Sequence, residues 1–344
     1  LLSVLFVVSC SKDAEPIKYT LTTTVSPADS GTINPASGQY NEGATVSITA
    51  TPANGYLFSS WTGATDKTAT TSIIMDSDKA VTANFENLFT IDDKGIIKCP
   101  KAKIGQKGFV DGKEYEAVGG VELFNKIKDK EDLTCLCTSL ITSLNYLFEN
   151  YTSFNQNIGS WDVSNVESMD RVFENLVNFN QDIGNWDVSK VKSMWSMFRG
   201  CLSFNQDIGS WDVGNVTDMM EMFKDAEKFN QHLGSWDVSK VYRMQWMFSG
   251  NTAFNGNIGS WDVSNVITFN RMFYRAESFN KDIGNWDVGK VESMNWMFSN
   301  ATVFNQDLTK WCVTNITSQT NYKFNYKSAL TEANKPKWGT CPSD

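Results

Sequence analysis

The chain has 344 residues, with 30 Lys and Arg against 39 Asp and Glu, a formal net charge of −9 and a single His. A net acidic chain without a basic block cannot neutralise a run of phosphates, so nucleic acid is not expected as a partner, and one His leaves little for His-based metal sites or for His-dependent catalysis. Aromatic residues make up 13%, with 22 Phe, 12 Trp and 10 Tyr, which argues against disorder.

Residues 1–8 read Leu-Leu-Ser-Val-Leu-Phe-Val-Val. A bilayer takes about twenty apolar residues in a helix, so this run is expected to be the tail of a signal peptide, truncated over 1–9. Val7-Val8-Ser9-Cys10 resembles a bacterial lipobox. The resemblance implies a lipid on Cys10, a tether over 10–18, and a place at the cell surface or outer membrane through that lipid alone. A cut signal peptide with an incidental Cys is the alternative.

Residues 19–86 are rich in Thr, Ser, Ala, Gly and Asn. Alternating runs at Tyr19–Val25, Thr45–Thr49 and Ala80–Phe85 are separated by Pro-Ala-Asp-Ser-Gly and Pro-Ala-Asn-Gly turns, which predicts a small antiparallel β domain. Its Gly55-Tyr-Leu-Phe-Ser-Ser-Trp61 segment and closing Val-Thr-Ala-Asn-Phe resemble divergent InlB B-repeat modules of bacterial surface proteins, which implies a stalk or spacer. A carbohydrate-binding role for Tyr56 and Trp61 is the alternative, with Trp61 expected to serve as a core anchor.

From residue 154 onward the sequence repeats with a period of 25. Trp stands at 161, 186, 211, 236, 261, 286 and 311, and Phe-Asn keeps the same step from 154–155 to 304–305. The unit reads Phe-Asn-Gln-Asp-Ile-Gly-Asn-Trp-Asp-Val-Ser-Lys-Val-x-x-Met-x-x-Met-Phe, followed by about five variable residues. Such a period predicts a solenoid whose repeats bury their apolar sides against one another. Short parallel strands at Val-x-x-Met are expected to alternate with turns or short helices. Leu136–Phe148 reads as a degenerate first coil, so the solenoid is placed at 136–316, between an N-terminal cap at 87–135 and a C-terminal cap at 317–344. The units resemble the 25–26-residue repeats of BspA-like bacterial surface proteins, a family grouped with leucine-rich repeats. That resemblance implies a leucine-rich-repeat-like fold and a role in adhesion or interaction.

Six cysteines follow Cys10. An exported chain can oxidise them, and pairs Cys312–Cys341 and Cys99–Cys137, each flanking one end of the array, are predicted. The Asp that follows each repeat Trp (Asp162, Asp187, Asp212, Asp237, Asp262, Asp287) is read as an Asx-type turn, with a row of Ca²⁺ sites as the alternative. The Asn column from Asn155 to Asn305 is expected to form an internal ladder to backbone groups. The column holding Asn157, Asp182, Asp207, His232, Asn257, Asp282 and Asp307 is read as solvated surface.

Catalytic groups need a unique constellation, and every carboxylate pair in the array has a near-copy one repeat away. No enzyme activity and no cofactor are expected. The repeats differ around Val-x-x-Met, where exposed Trp, Tyr and Arg are the residue types enriched at binding hot spots. Trp195, Tyr242, Arg243, Trp246, Arg271 and Trp296 are therefore the candidate ligand-facing residues, the alternative being that the Trp rings bury against neighbouring coils. The expected partner is a host or neighbouring-cell protein, or a polysaccharide captured as a nutrient.

Overall fold

In the computed structural model, residues 15–316 and 320–342 are described. Cys10, most of the tether and the signal-like run lie outside them. The chain divides into two compact units, Leu1–Leu88 and Phe89–Asp344.

The first unit holds seven strands: β1 (Lys18–Ser26), β2 (Gly31–Asn34), β3 (Gly38–Asn41), β4 (Thr45–Pro52), β5 (Tyr56–Thr62), β6 (Thr70–Ile74) and β7 (Lys79–Asn87). The chain switches sheet at every step, giving one sheet ordered β3-β1-β7-β5 and another ordered β2-β4-β6. Alternation in β4 and β7 turns Val46, Ile48, Ala50, Val81, Ala83 and Phe85 inward, as a period of two requires. Trp61 is buried among them and donates its indole N–H to the Thr68 carbonyl at 2.9 Å, so it serves the core. The domain is not wholly antiparallel, because β1 and β7 pair in parallel from Leu21 with Lys79 to Ser26 with Asn84. Local alternation sets which side chains face inward. Strand direction here follows from the chain crossing between sheets, which brings its first and last strands together.

The second unit begins with short elements: β8 (Thr90–Ile91), β9 (Ile97–Lys98), β10 (Lys107–Val110), β11 (Lys113–Ala117), α1 (Gly120–Lys128) and β12 (Leu136–Cys137). Asp111 and Gly112 both take positive φ between β10 and β11, the backbone of a tight hairpin turn. Helix α1 buries Leu123 and Ile127, with Glu122 in its first turn and Lys126 and Lys128 in its last, a charge order that complements the helix dipole. These elements join the array through the Ile97 N–H to the Ser160 carbonyl at 2.9 Å, Lys98 Nζ to Asp162 Oδ1 at 2.7 Å, and the Cys99–Cys137 disulfide. At the other end Phe324 and Leu330 are buried, Trp338 packs edge-on against Phe324, and Cys312 is bonded to Cys341.

The expected leucine-rich-repeat-like solenoid of short strands and short helices is not the fold that forms. Sheet structure is confined to four small sheets and α-helix to α1, and no named strand or helix lies between 138 and 316 among the described residues. Each repeat is a succession of turns. The Val-x-x-Met segment contributes one isolated parallel bridge per repeat, from Ser143–Ser168 through Ser168–Ser193, Ser193–Asp218, Asp218–Arg243 and Arg243–Thr268 to Thr268–Ser293. A strand cannot extend past the bridge because the residue three further on is left-handed: φ is +55° at Arg171, +53° at Ser196, +57° at Glu221 and +64° at Trp246. Backbone pairing between repeats nevertheless continues, with the N–H groups of Met169, Arg171, Phe173 and Asn175 donating to the carbonyls of Ser193, Trp195, Met197 and Arg199.

The core between these turns is columnar. Phe173, Phe198, Phe223, Phe248, Phe273 and Phe298 stack in sequence at ring separations of 5.5–5.8 Å. Every Trp of the 25-residue column donates Nε1–H to a carbonyl of the preceding repeat, Trp236 to Ile208 at 3.1 Å and Trp261 to Leu233 at 2.8 Å among them. The buried polar edge of each ring is thereby satisfied. Among the described residues Cys135 and Cys201 are free. Cys201 is wholly buried and its thiol donates to the Phe173 carbonyl, and burial pushes its pKa well up.

Candidate ligand-facing surface

The repeated polar columns are occupied by the fold itself. In all six repeats the Asp after Trp accepts the N–H of the residue two further on, from Ser164 to Asp162 at 3.1 Å through Gly289 to Asp287 at 3.0 Å. These are Asx turns. The Ser239 and Ser264 hydrogen bonds hold Asp237 and Asp262 below the usual carboxylate value. Among the described residues no group of three or more His, Cys, Asp or Glu side chains is arranged to hold a metal ion. The alternating Asn/Lys column is a ladder of its own, with Lys190 Nζ on Asn165 Oδ1 at 2.6 Å and Lys240 Nζ on Asn215 Oδ1 at 2.7 Å.

One expectation is corrected. The Asn155-to-Asn305 ladder exists, with Asn230 N–H on Asn205 Oδ1 at 2.9 Å and Asn255 N–H on Asn230 Oδ1 at 2.8 Å, but it runs along the surface and not the interior. The Phe beside each Asn takes the inward position, and the Asn side chain ties adjacent repeats from outside. The column containing His232 is exposed throughout, as expected, and Asp182, Asp207 and Asp282 each also accept the N–H of the Gly two residues on, at 2.9–3.0 Å.

The variable positions behave differently. Trp246 and Trp296 lie half-buried in one column, and the Arg271 guanidinium sits between them, 4.2 Å from the Trp246 ring and 5.6 Å from the Trp296 ring. Lys224 covers the other side of Trp246 at 4.5 Å, and Lys323 lies over Trp296 at 4.6 Å. Tyr322 meets Trp296 edge-on at 5.6 Å. Together Trp246, Asn270, Arg271, Asn295, Trp296 and Tyr322 line an open cleft of about 270 Å³. Each cation over a ring contributes about 0.5–2 kcal/mol, more where water is excluded.

The remaining candidates fall elsewhere. Trp195 is one column off. It packs on Arg171, which also covers Tyr146, and its Nε1 is buried with no hydrogen-bond partner among the described residues. Arg243 is held by Asp218 at 2.6 Å, and burial raises the pKa of that carboxyl despite the nearby Arg. Tyr242 is 44% exposed.

Sequence reasoning missed Tyr322 and Lys323. Within the array an N–H donates to the carbonyl 24 residues on, as Arg271 does to Asn295, whereas Trp296 N–H pairs with the Tyr322 carbonyl and Phe298 N–H with that of Phe324, 26 residues on. Two additional residues shift the register there, and only the pairing reveals it.

Two backbone columns are left-handed. One holds Asn175, Gly200, Asp225, Gly250, Arg275 and Asn300, mostly residues that tolerate positive φ. The other holds Arg171, Ser196, Glu221, Trp246, Arg271 and Trp296, none of which does so readily. The conformation recurs in every repeat, buried Ser196 included, because each of these N–H groups donates to a carbonyl of the following turn.

Charge changes along the same face. Arg171, Arg199 and Lys224 alternate with Glu174 and Glu221 at 3.2–3.5 Å. Past Glu221 aromatic rings replace the carboxylates.

No curated protein and no solved structure matches this chain. Residues 21–88 match the model of the divergent InlB B-repeat domain. Residues 121–236 and 221–338 match the model described as "Mycoplasma protein of unknown function, DUF285". These are surface repeat families and not enzyme families. No helix among the described residues is long and apolar enough to cross a membrane. With more than half of its length matched, the chain belongs to the DUF285 family, and with its B-repeat module it is a bacterial cell-surface repeat protein.

Proposed function

We propose that the protein is a lipid-anchored adhesion or recognition module, non-catalytic, that holds a partner on the Trp246–Arg271–Trp296 face of its repeat array. The observation that carries this reading is the row itself: three bulky side chains in consecutive repeats, all with positive φ, presented beside an open cleft. Aromatic residues and Arg in such a setting are the usual anchors of recognition surfaces. The anchor would be Cys10, supported by the Val7-Val8-Ser9-Cys10 motif, with the B-repeat domain as spacer. The partner would be a protein or polysaccharide of a host or neighbouring cell.

Glycan and host-protein arrays probed with the whole chain test the reading. Alanine at Trp246 and at Trp296 should remove the hits while the melting temperature of the second unit stays within a few degrees. Loss of folding, or unchanged hits, would refute it. Metabolic labelling with a fatty-acid analogue should mark the wild type and not Cys10→Ala. Polysaccharide capture for nutrition is the second reading, favoured by the cleft spanning several repeats.

A further inference from the structure

The face is balanced at one end and not at the other. Up to Glu221 its cations have carboxylate partners: Arg171 with Glu174, Lys192 with Glu167, Arg199 with Glu174 and Glu221, Lys224 with Glu221, and Arg243 reaching back to Asp218. Arg271, Lys323 and Lys327 have no carboxylate within ion-pair distance among the described residues, and rest instead on Trp246, Trp296, Tyr322 and Tyr326. Glu292, the acidic side chain at the variable positions of these repeats, is exposed and pairs with none of them. In a chain of net charge −9, this leaves a local cluster of unneutralised cations around the cleft.

The cleft also restricts what can bind. Trp246 is covered on its rings by Lys224 and Arg271, and Trp296 by Arg271 and Lys323, so a neutral sugar cannot stack without displacing a cation. The backbone offers no free edge for an added strand, because the Trp246, Arg271 and Trp296 N–H groups already donate to Asn270, Asn295 and Tyr322 carbonyls. A flexible acidic peptide would have to be ordered with no main-chain bonds in return. What remains is the guanidinium of Arg271, whose fork suits planar or tetrahedral anions, with Asn270 and Tyr322 beside it in the cleft lining.

We infer that the Trp246–Arg271–Trp296 cleft binds the acidic groups of an anionic polysaccharide lying across repeats. This rests on the recognition reading above and names its ligand class.

The test uses the whole chain and four probes: alginate oligosaccharides, dextran sulfate, neutral dextran and poly-L-glutamate, each titrated by calorimetry at low and high salt. Binding to alginate or dextran sulfate, weakened by salt, is expected, and the stronger of the two identifies carboxylate or sulfate as the source of charge. Arg271→Gln should weaken it about tenfold or more. Lys323→Gln, at an exposed site, should weaken it less without affecting folding, and ion-paired Arg243→Gln should leave it unchanged. Equal binding to neutral dextran, tighter binding to poly-L-glutamate, indifference to Arg271→Gln in a folded variant, or no binding to any probe would overturn the inference. If the array hits of the previous section still depend on Trp246 in those cases, the recognition reading survives and only the ligand class fails.

Discussion

Ser196→Gly should raise the stability of the second unit, although removing a buried side chain usually lowers it. Ser196 is wholly buried, its hydroxyl has no hydrogen-bond partner among the described residues, and its φ is +53°. Left-handed backbone costs a non-glycine residue about 1–2 kcal/mol, and an unpaired buried hydroxyl about 1–3 kcal/mol. Against this, glycine adds about 0.4–1 kcal/mol of unfolded-chain entropy, and lost packing costs roughly 0.8 kcal/mol for a group the size of a methylene. The balance centres on a gain of about 2 kcal/mol, which for a domain of this size is a rise of about 4–8 °C in melting temperature. Scanning calorimetry of the whole chain measures it, with the B-repeat transition as an internal reference that should not move. The converse substitution is Gly200→Ala, at φ +68°, where a Cβ would come 2.5 Å from Asn175 Oδ1; it should lower the same transition. A Ser196→Gly protein that melts at or below the wild-type temperature would refute the claim that this column is strained.

Trp236→Phe keeps the ring stack but leaves the Ile208 carbonyl without its indole donor; a loss of about 1–2 kcal/mol is expected in urea denaturation. Asp162 should contribute an acid-sensitive part of stability. Burial raises its pKa, but hydrogen bonds from Lys98, Ser139 and Ser164 outweigh that and hold it below 3.8. Its contribution is therefore present above about pH 4 and lost as pH falls through the lower folded value. Asp162→Asn should flatten that limb of a pH–stability curve at a cost near neutrality of about 1–3 kcal/mol. Removing the Cys99–Cys137 bond, whose partners are separated by 38 positions, with Cys99→Ala and Cys137→Ala together should lower stability by about 3–4 kcal/mol on the loop-closure account, read from melting curves of the variant and the wild type. Millimolar Ca²⁺ should leave the melting temperature unchanged, since the Asp column is engaged in Asx turns; a rise of several degrees would revive the metal reading.

Much of the core was legible because a repeat's neighbours are its own copies. Trp at every twenty-fifth position must meet Trp-bearing repeats on both sides, so the ring columns follow from spacing alone. The candidate face was legible only in part. Residue type marked Trp246, Arg271 and Trp296, but also Trp195 and Arg243, which the structure assigns to Arg171 and Asp218. Tyr322 was hidden by a two-residue register shift with no signature in composition.

By itself, the sequence determined the period, the identity of the core columns, the Asx turns and the alternation of the B-repeat strands, all of which depend on residues at fixed local or one-repeat spacing. Tertiary structure decided the rest: turns where strands were expected, the parallel β1–β7 pair, the outward Asn ladder, and which cations lack a carboxylate. Those outcomes depend on where a neighbouring repeat puts its carbonyls and charges. A left-handed φ at Trp246 or Arg271 persists because the next repeat's carbonyl receives its N–H, and nothing in the residue's own type reports that.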